Sequence, residues 1–292
     1  MLDFITWNVS PILAHFKVPF IGEMEIRYYG VLFTCCFIFG YLVMGKVYKK
    51  EGRTIEELDR LSVNMIIGIV VGARLGHVLF YDPVYYYHNP IEIIQIWKGG
   101  LASHGAAIGT LITLYLYSRK LNIYKPFLWI LDRISIVVCL GGFFVRMGNL
   151  MNSEIYGKVT NLPWGFIFKR DMDESVSDID RISPHHPTQI YEGLSYLAMF
   201  VFFWIMYNRQ VAKMPRGRMF GLFLILLWSA RFLIEFIKNV QEPWEAKLPL
   251  DLGQLLSIPF IIIGVVILRN SYKPEMMPPV EVVKAVEGVT GV

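Results

Sequence analysis

Charged residues are scarce: Asp, Glu, Lys and Arg make up 18% of the 292 residues, against about a quarter in a soluble globular domain. Apolar residues take their place at 54%, and mean hydropathy is +0.45. That balance excludes an ordinary soluble domain. The net charge is only +4, with basic residues in short loops, which argues against a nucleic-acid partner. Cys35, Cys36 and Cys139 all fall inside apolar runs. They form neither a disulfide framework nor a metal-ligand spacing, so no metal or cofactor is expected. Residues 1–26 lack a basic stretch followed by an apolar one, and no cleavable signal peptide is expected. No G-x-S-x-G is present, and Asp82, Asp132 and Asp251 sit singly at the ends of apolar runs. An intramembrane protease therefore has no nucleophile or acid pair here. No internal repeat is evident.

What is present is a series of apolar runs, each near the ~20 residues that a ~30 Å bilayer core requires. Seven are expected, over about 28–48, 61–82, 101–118, 127–150, 188–207, 217–238 and 251–268. The fold class they imply is all-α, a polytopic transmembrane helix bundle. Loop charge sets its orientation. Lys46, Lys49, Lys50, Arg53 and Arg60, then Arg119, Lys120 and Lys125, then Arg209, Lys213, Arg216 and Arg218 mark one side. On the other, Lys98 is alone in 83–100, Lys247 is alone in 239–250, and 151–187 carries four basic against six acidic residues. The positive-inside rule then places the N-terminus outside and the C-terminus in the cytoplasm. Residues 1–27 read as an interfacial segment, either a short helix or a loop. Residues 28–270 read as the membrane domain with an external insertion at 151–187, and 271–292 as a disordered cytoplasmic tail.

Given that orientation, the polar residues gather at one depth, the outer leaflet. Tyr28 and Tyr29 open the first run, and Arg74 and His77 lie in the outer half of the second. His104 starts the third among Gly99, Gly100, Ala102, Ser103, Gly105, Ala106, Ala107 and Gly109. Arg146 and Asn149 end the fourth. His186, Gln189 and Glu192 open the fifth, Arg231 and Glu235 lie in the sixth, and Asp251 and Gln254 begin the seventh. Asp132 and Arg133 are the exception, near the cytoplasmic side. An arginine at the centre of a spanning helix costs roughly 2.5–3.5 kcal/mol, so it requires a partner or a ligand. Arg231 and Glu235, four apart, can pair with each other. Arg74, Arg146 and Arg231 still outnumber the acids unless Glu154, Glu192 and Glu235 all point inward. Guanidinium groups gathered at that depth suit a phosphate, and a lipid headgroup supplies one. An anionic-lipid transporter or flippase is the alternative, although polar residues confined to one leaflet and the lack of broken helices in matching halves speak against it.

The stretch Val145–Gly157, V-R-M-G-N-L-M-N-S-E-I-Y-G, resembles the signature of the prolipoprotein diacylglyceryl transferase family, roughly G-R-x-G-N-F-x-N-x-E-x-x-G. It agrees at Arg146, Gly148, Asn149, Asn152, Glu154 and Gly157, and departs at Val145 and Leu150. Further blocks are similar: Y-Y-G at Tyr28, Gly72–Tyr81, the G-G-L-A-S-H-G around His104, H-H-P-T-Q-I-Y-E at His185, and Gly253–Pro259. The resemblance runs from about Arg27 to Leu268. It implies an enzyme of the bacterial inner membrane with its site towards the outer leaflet. Such an enzyme transfers the diacylglyceryl group of phosphatidylglycerol to the lipobox cysteine of a preprolipoprotein signal peptide. Under it, Arg146 and Arg231 would hold the phosphate with Arg74 in support. His104 would be the base for the thiol, and Tyr29 would orient the headgroup. Asn149, Asn152 and Glu154 would fix the Arg146 loop and contact the glycerol hydroxyls. His186 and Gln189 would complete the binding site, with Glu235 and Gln254 supporting it from behind.

Overall fold

The computed structural model describes residues 4–18, 22–171, 182–239 and 250–290. The chain is mostly helical. Its helices are α1 (Tyr28–Lys50), α2 (Ile55–Phe80), α3 (Pro83–His88), α4 (Ser103–Ser118), α5 (Pro126–Met151), α6 (Thr188–Gln210), α7 (Arg218–Glu235), α8 (Leu252–Ser271) and α9 (Val280–Thr290). By length and composition α1, α2, α5, α6 and α8 are fit to cross a membrane. The runs expected at 101–118 and 217–238 are helical too. However, α4 has only 16 residues, and the 18 residues of α7 include Arg218, Arg231 and Glu235. Lys247 and Arg181, counted in the loop charges, lie outside the described residues.

Three expectations are corrected: the purely α fold class, the N-terminal segment, and the C-terminal tail, which is not disordered throughout. The fold is not purely α, because among the described residues four short strands accompany the helices: β1 (Ile5–Trp7), β2 (Ile12–Val18), β3 (Gly22–Arg27) and β4 (Phe166–Phe168). Instead of a short helix or loop, the N-terminal segment forms an antiparallel β2–β3 hairpin, and β1 pairs in parallel with β4. The hairpin follows from a period of two. Ala14 and Phe16 face Ile26 and Met24 on one side, while His15–Glu25 (3.6 Å) and Lys17–Glu23 (3.1 Å) pair on the other. The C-terminal tail contains α9, in which Val283 and Val286, three apart, share the more covered side while Glu281 and Lys284 are exposed.

The chain divides into two compact units, residues 1–43 with 134–277 and residues 44–133 with 278–292. In the first, α1 lies on α5, with the Cys36 Sγ 3.4 Å from the Gly141 carbonyl and Phe39 stacked 5.4 Å from Phe144. The end of α5 is gripped from outside. Trp7 donates its indole N–H to the Leu150 carbonyl (3.0 Å), and Leu150 is buried with Tyr156, Phe166 and Phe168. In the second unit α2 and α4 touch backbone to backbone along Gly68, Gly72, Gly76, Gly105 and Gly109. Near the start of α5, buried Arg133 holds Glu51 through two bonds of 2.9 and 3.1 Å, and Trp129 donates to the same carboxylate. This accounts for the lone charged pair expected at the cytoplasmic end.

A Cβ added at Gly105 would fall 2.3 Å from the Gly72 carbonyl, a backbone atom that cannot step aside. Gly105→Ala should therefore destabilise the protein by about 1–3 kcal/mol, read as a lowered melting temperature in detergent. Gly30→Ala, which meets nothing within 4 Å, should leave the melting temperature unchanged.

Candidate functional site

The last turns of α5 present Arg146 and Asn149 three residues apart, on one face of the helix. Arg146 Nη1 donates to Asn149 Oδ1 at 3.1 Å. Asn149 and Asn152 each donate an amide N–H to Glu154 Oε1, at 2.8 and 3.2 Å. Glu154 can reach back because the chain reverses sharply after α5. Ser153 and Ile155 adopt φ of 57° and 59°, a left-handed conformation that is costly for a β-branched residue, on the order of 1–3 kcal/mol. The start of α6 holds the turn in place: Thr188 Oγ1 donates to the Ile155 carbonyl (3.0 Å) and Gln189 Nε2 to that of Glu154 (2.7 Å). Gln189, 1% exposed, thus fixes the Glu154 turn. Tyr29 packs its ring on Gly148, where a Cβ would come within 2.7 Å of it. The signature glycine therefore makes room for the tyrosine beside Asn149.

An alternating row of charges extends from Arg146. Its guanidinium pairs with Glu192 of α6. Lys238 Nζ lies 3.6 Å from Glu192 and 3.7 Å from Glu235, and Arg231 is 4.0 Å from Glu235. Lys238 is 3% exposed, Glu192 2% and Glu235 6%. The arginines at the two ends are the more open members, their side chains 13% and 30% exposed. Glu235 is also backed by α8, since a Cβ on Gly253 would sit 2.6 Å from its carboxyl carbon. Gln254 stands behind the row. Its side chain completes a capping box with Asp251 and donates to the Phe232 carbonyl at 3.4 Å, so it serves the start of α8. His186 is half-buried, with Nδ1 3.4 Å from the Tyr191 hydroxyl. Burial, and then the neighbouring His185, hold its pKa below the ordinary imidazole value, which keeps it neutral at neutral pH.

Arg74 and His104 belong to the second unit. Arg74 is 4% exposed and spends its donors on carbonyls: Ile93 (2.8 Å), Gly99 (2.6 Å), Gly100 (3.1 Å) and Glu92 (2.5 Å). Its guanidinium also lies 4.9 Å from the Tyr86 ring centre. The expected phosphate contact is corrected accordingly, because Arg74 folds residues 92–100 back onto α2. That segment leads to His104, an exposed second residue of α4 with its ring stacked 5.8 Å from Tyr81 and edge-on to Phe80.

The sequence profile of the prolipoprotein diacylglyceryl transferases matches residues 17–269, nearly the whole chain. The chain belongs to this family. Relatives named phosphatidylglycerol–prolipoprotein diacylglyceryl transferase are similar over almost their full lengths. That of Tolumonas auensis is 44% identical over 267 residues, covering 91% of this chain and 97% of its own. Those of Porphyromonas gingivalis and Chloroherpeton thalassium are 44% and 42% identical, covering 92% and 93% of this chain and 95% and 96% of theirs. Among the family-like residues, the first unit brings together Tyr29, Arg146, Asn149, Asn152, Glu154, Gln189, Arg231 and Glu235. Lys238 was missed as a site residue, and Glu192 was considered only as a counter-charge. The available signal was spacing: Arg231, Glu235 and Lys238 stand at i, i+4 and i+7, one helical face continued past the end of α7.

Arg74→Lys should separate structure from substrate contact. One ammonium cannot reach four carbonyls, and buried acceptors left unpaired cost about 1–3 kcal/mol each. The expected result is a lower melting temperature and faster proteolysis between residues 92 and 102. Protein that remains folded should show an unchanged KM for lipid.

Proposed function

We propose that this chain transfers the diacylglyceryl group of phosphatidylglycerol to the lipobox cysteine thiol of preprolipoproteins, the first step of lipoprotein maturation. The observation that carries the reading is the pair of partly open arginines, Arg146 and Arg231, at the ends of a buried charged row beside the family signature. The protein is read as a seven-span protein of the bacterial inner membrane, N-terminus outside, with this site towards the outer leaflet. Both substrates, a phospholipid and a membrane-inserted signal peptide, reach it within the bilayer.

The chemistry needs a thiolate and a stabilised leaving group. A free thiol with a pKa of ~8.5 is only a few per cent ionised at neutral pH. His104 takes its proton, a task suited to a neutral imidazole. Sulfur then bonds to the glycerol carbon as that carbon's bond to the phosphate oxygen breaks. The electron pair leaves on the phosphate, giving a thioether and glycerol phosphate. Charge grows on the departing phosphate, and fixed guanidinium groups beside it lower the barrier. Tyr29 orients the headgroup, and Asn149, Asn152 and Glu154 fix Arg146 and meet the glycerol hydroxyls.

Purified protein in detergent, given labelled phosphatidylglycerol and a lipobox peptide, should yield labelled peptide and free glycerol phosphate. Folded protein that binds the lipid without transferring it would favour an anionic-lipid transporter instead. Arg146→Ala should lower turnover by about 10²–10³-fold while the protein still inserts, and near wild-type turnover would remove the phosphate clamp. His104→Gln should lose about 10²–10⁴-fold and the neutral-pH limb of the rate profile. If that limb survives, the base lies elsewhere.

A further inference from the structure

Lys238 takes no part in the chemistry above, yet its burial is deliberate. The residue lies just past α7, on a backbone pinned to the signature segment. Gly157 and Lys238 form an antiparallel bridge, Lys158 donates its N–H to the Ile237 carbonyl (2.8 Å), and Asn239 donates to that of Tyr156 (3.4 Å). A Cβ on Gly157 would fall 2.4 Å from the Ile237 oxygen. The last glycine of the signature is thus what admits the strand carrying Lys238. Held there, the lysine cannot stretch its ammonium out to water, and it ends between two carboxylates.

The order of charges gives that position its meaning. Reading along the row, Arg146, Glu192, Lys238, Glu235 and Arg231 alternate in sign, with a guanidinium at each end. Among the described residues, Arg146 and Lys238 are the cations within ion-pair distance of Glu192. Three cations against two carboxylates leave the row at +1, with the Glu154 carboxylate held off from Arg146 by the Asn149 amide between them. Without the lysine it would be neutral. Glu192 and Glu235 would then face each other with no cation between them, each opposed only by its own arginine. The charge of both arginines would be cancelled within the row, with little field left for a substrate.

We propose that Lys238 is a positioning residue that shares the two carboxylates and so keeps Arg146 and Arg231 available to one phosphodiester. The net charge of +1 matches a headgroup bearing a single negative charge and sets the preference for an anionic over a zwitterionic phospholipid. This rests on the phosphatidylglycerol reading above and extends it to headgroup selection.

The test is binding of phosphatidylglycerol and of phosphatidylcholine to the full-length protein in mixed micelles, with transfer kinetics alongside. Lys238→Met should weaken phosphatidylglycerol binding by about 10- to 100-fold, the range expected when a charge-assisted contact is lost. Phosphatidylcholine binding should be unchanged, and the kinetic loss should fall mainly on KM. Lys238→Arg should retain the preference. Lys238→Met combined with Glu192→Gln restores +1 and should recover selectivity, which a purely structural role would not do. If Lys238→Met does not fold, the folded double variant decides: retained preference supports the proposal and lost preference overturns it. Wild-type selectivity in folded Lys238→Met also overturns it. Because binding is read without turnover, a wild-type chain that selects phosphatidylglycerol but transfers nothing would sink the transferase reading and leave this one standing.

Discussion

The ion pair between Arg146 on α5 and Glu192 on α6 is the contact on which the rest of the first unit depends. Each partner is a charge removed from water, and the stabilisation such a pair gives is small once desolvation is counted. Losing one partner is another matter, costing about 3–5 kcal/mol because the remaining charge stays buried. The surrounding architecture follows from that asymmetry. Asn149 takes up one further guanidinium donor, Glu154 gathers both asparagine amides, and Gln189 and Thr188 hold the turn that aims Glu154. These bonds hold α5, the turn and α6 in one register. The strain at Ser153 and Ile155 is tolerated because the start of α6 fixes the turn on its carbonyls.

The middle of the row, Glu192, Lys238 and Glu235, is buried, and the end of α5 beside it is covered as well. Trp7, Phe166, Phe168 and Tyr156 form an aromatic cap over Leu150 in the last turn of α5, and the paired strands β1 and β4 carry three of those rings. Lys158 and Gly157 then tie the segment after α5 to the end of α7. What reads in sequence as a long insertion is thus, at residues 156–158, bound to the backbone that carries Lys238.

The helices were legible because a spanning segment needs long uninterrupted apolarity; α5, expected over 127–150, is found at Pro126–Met151. The hairpin was not, since a seven-residue alternation of apolar and charged residues resembles any interfacial segment until its partner strand is known. The same limit governed the site. Arg146, Asn149 and Glu154 announce themselves by type and spacing, and they are in contact. Arg74 looked equivalent by type, but its partners are backbone carbonyls, and no side-chain pattern records those. Gln254 was equally persuasive as a polar residue at a helix start, which is also where a capping residue belongs. Lys238 fell at the end of an expected span, where a lysine reads as an interfacial anchor.

The two departures from the family signature fall where the structure can absorb them. Leu150, in place of the common Phe, is 5% exposed in a cluster that already holds Tyr156, Phe166 and Phe168, with Trp7 packed against it. Those rings supply the bulk that a phenylalanine would bring. The link to Trp7 runs through the Leu150 backbone carbonyl, which any side chain provides. Val145 is only half-buried and makes none of the contacts that hold Arg146. The positions that cannot vary are those where backbone or charge leaves no room: Gly148 under the Tyr29 ring, Gly157 against Ile237, and Arg146 facing Glu192. The signature is thus a record of close approach and charge pairing, and volume within it is negotiable.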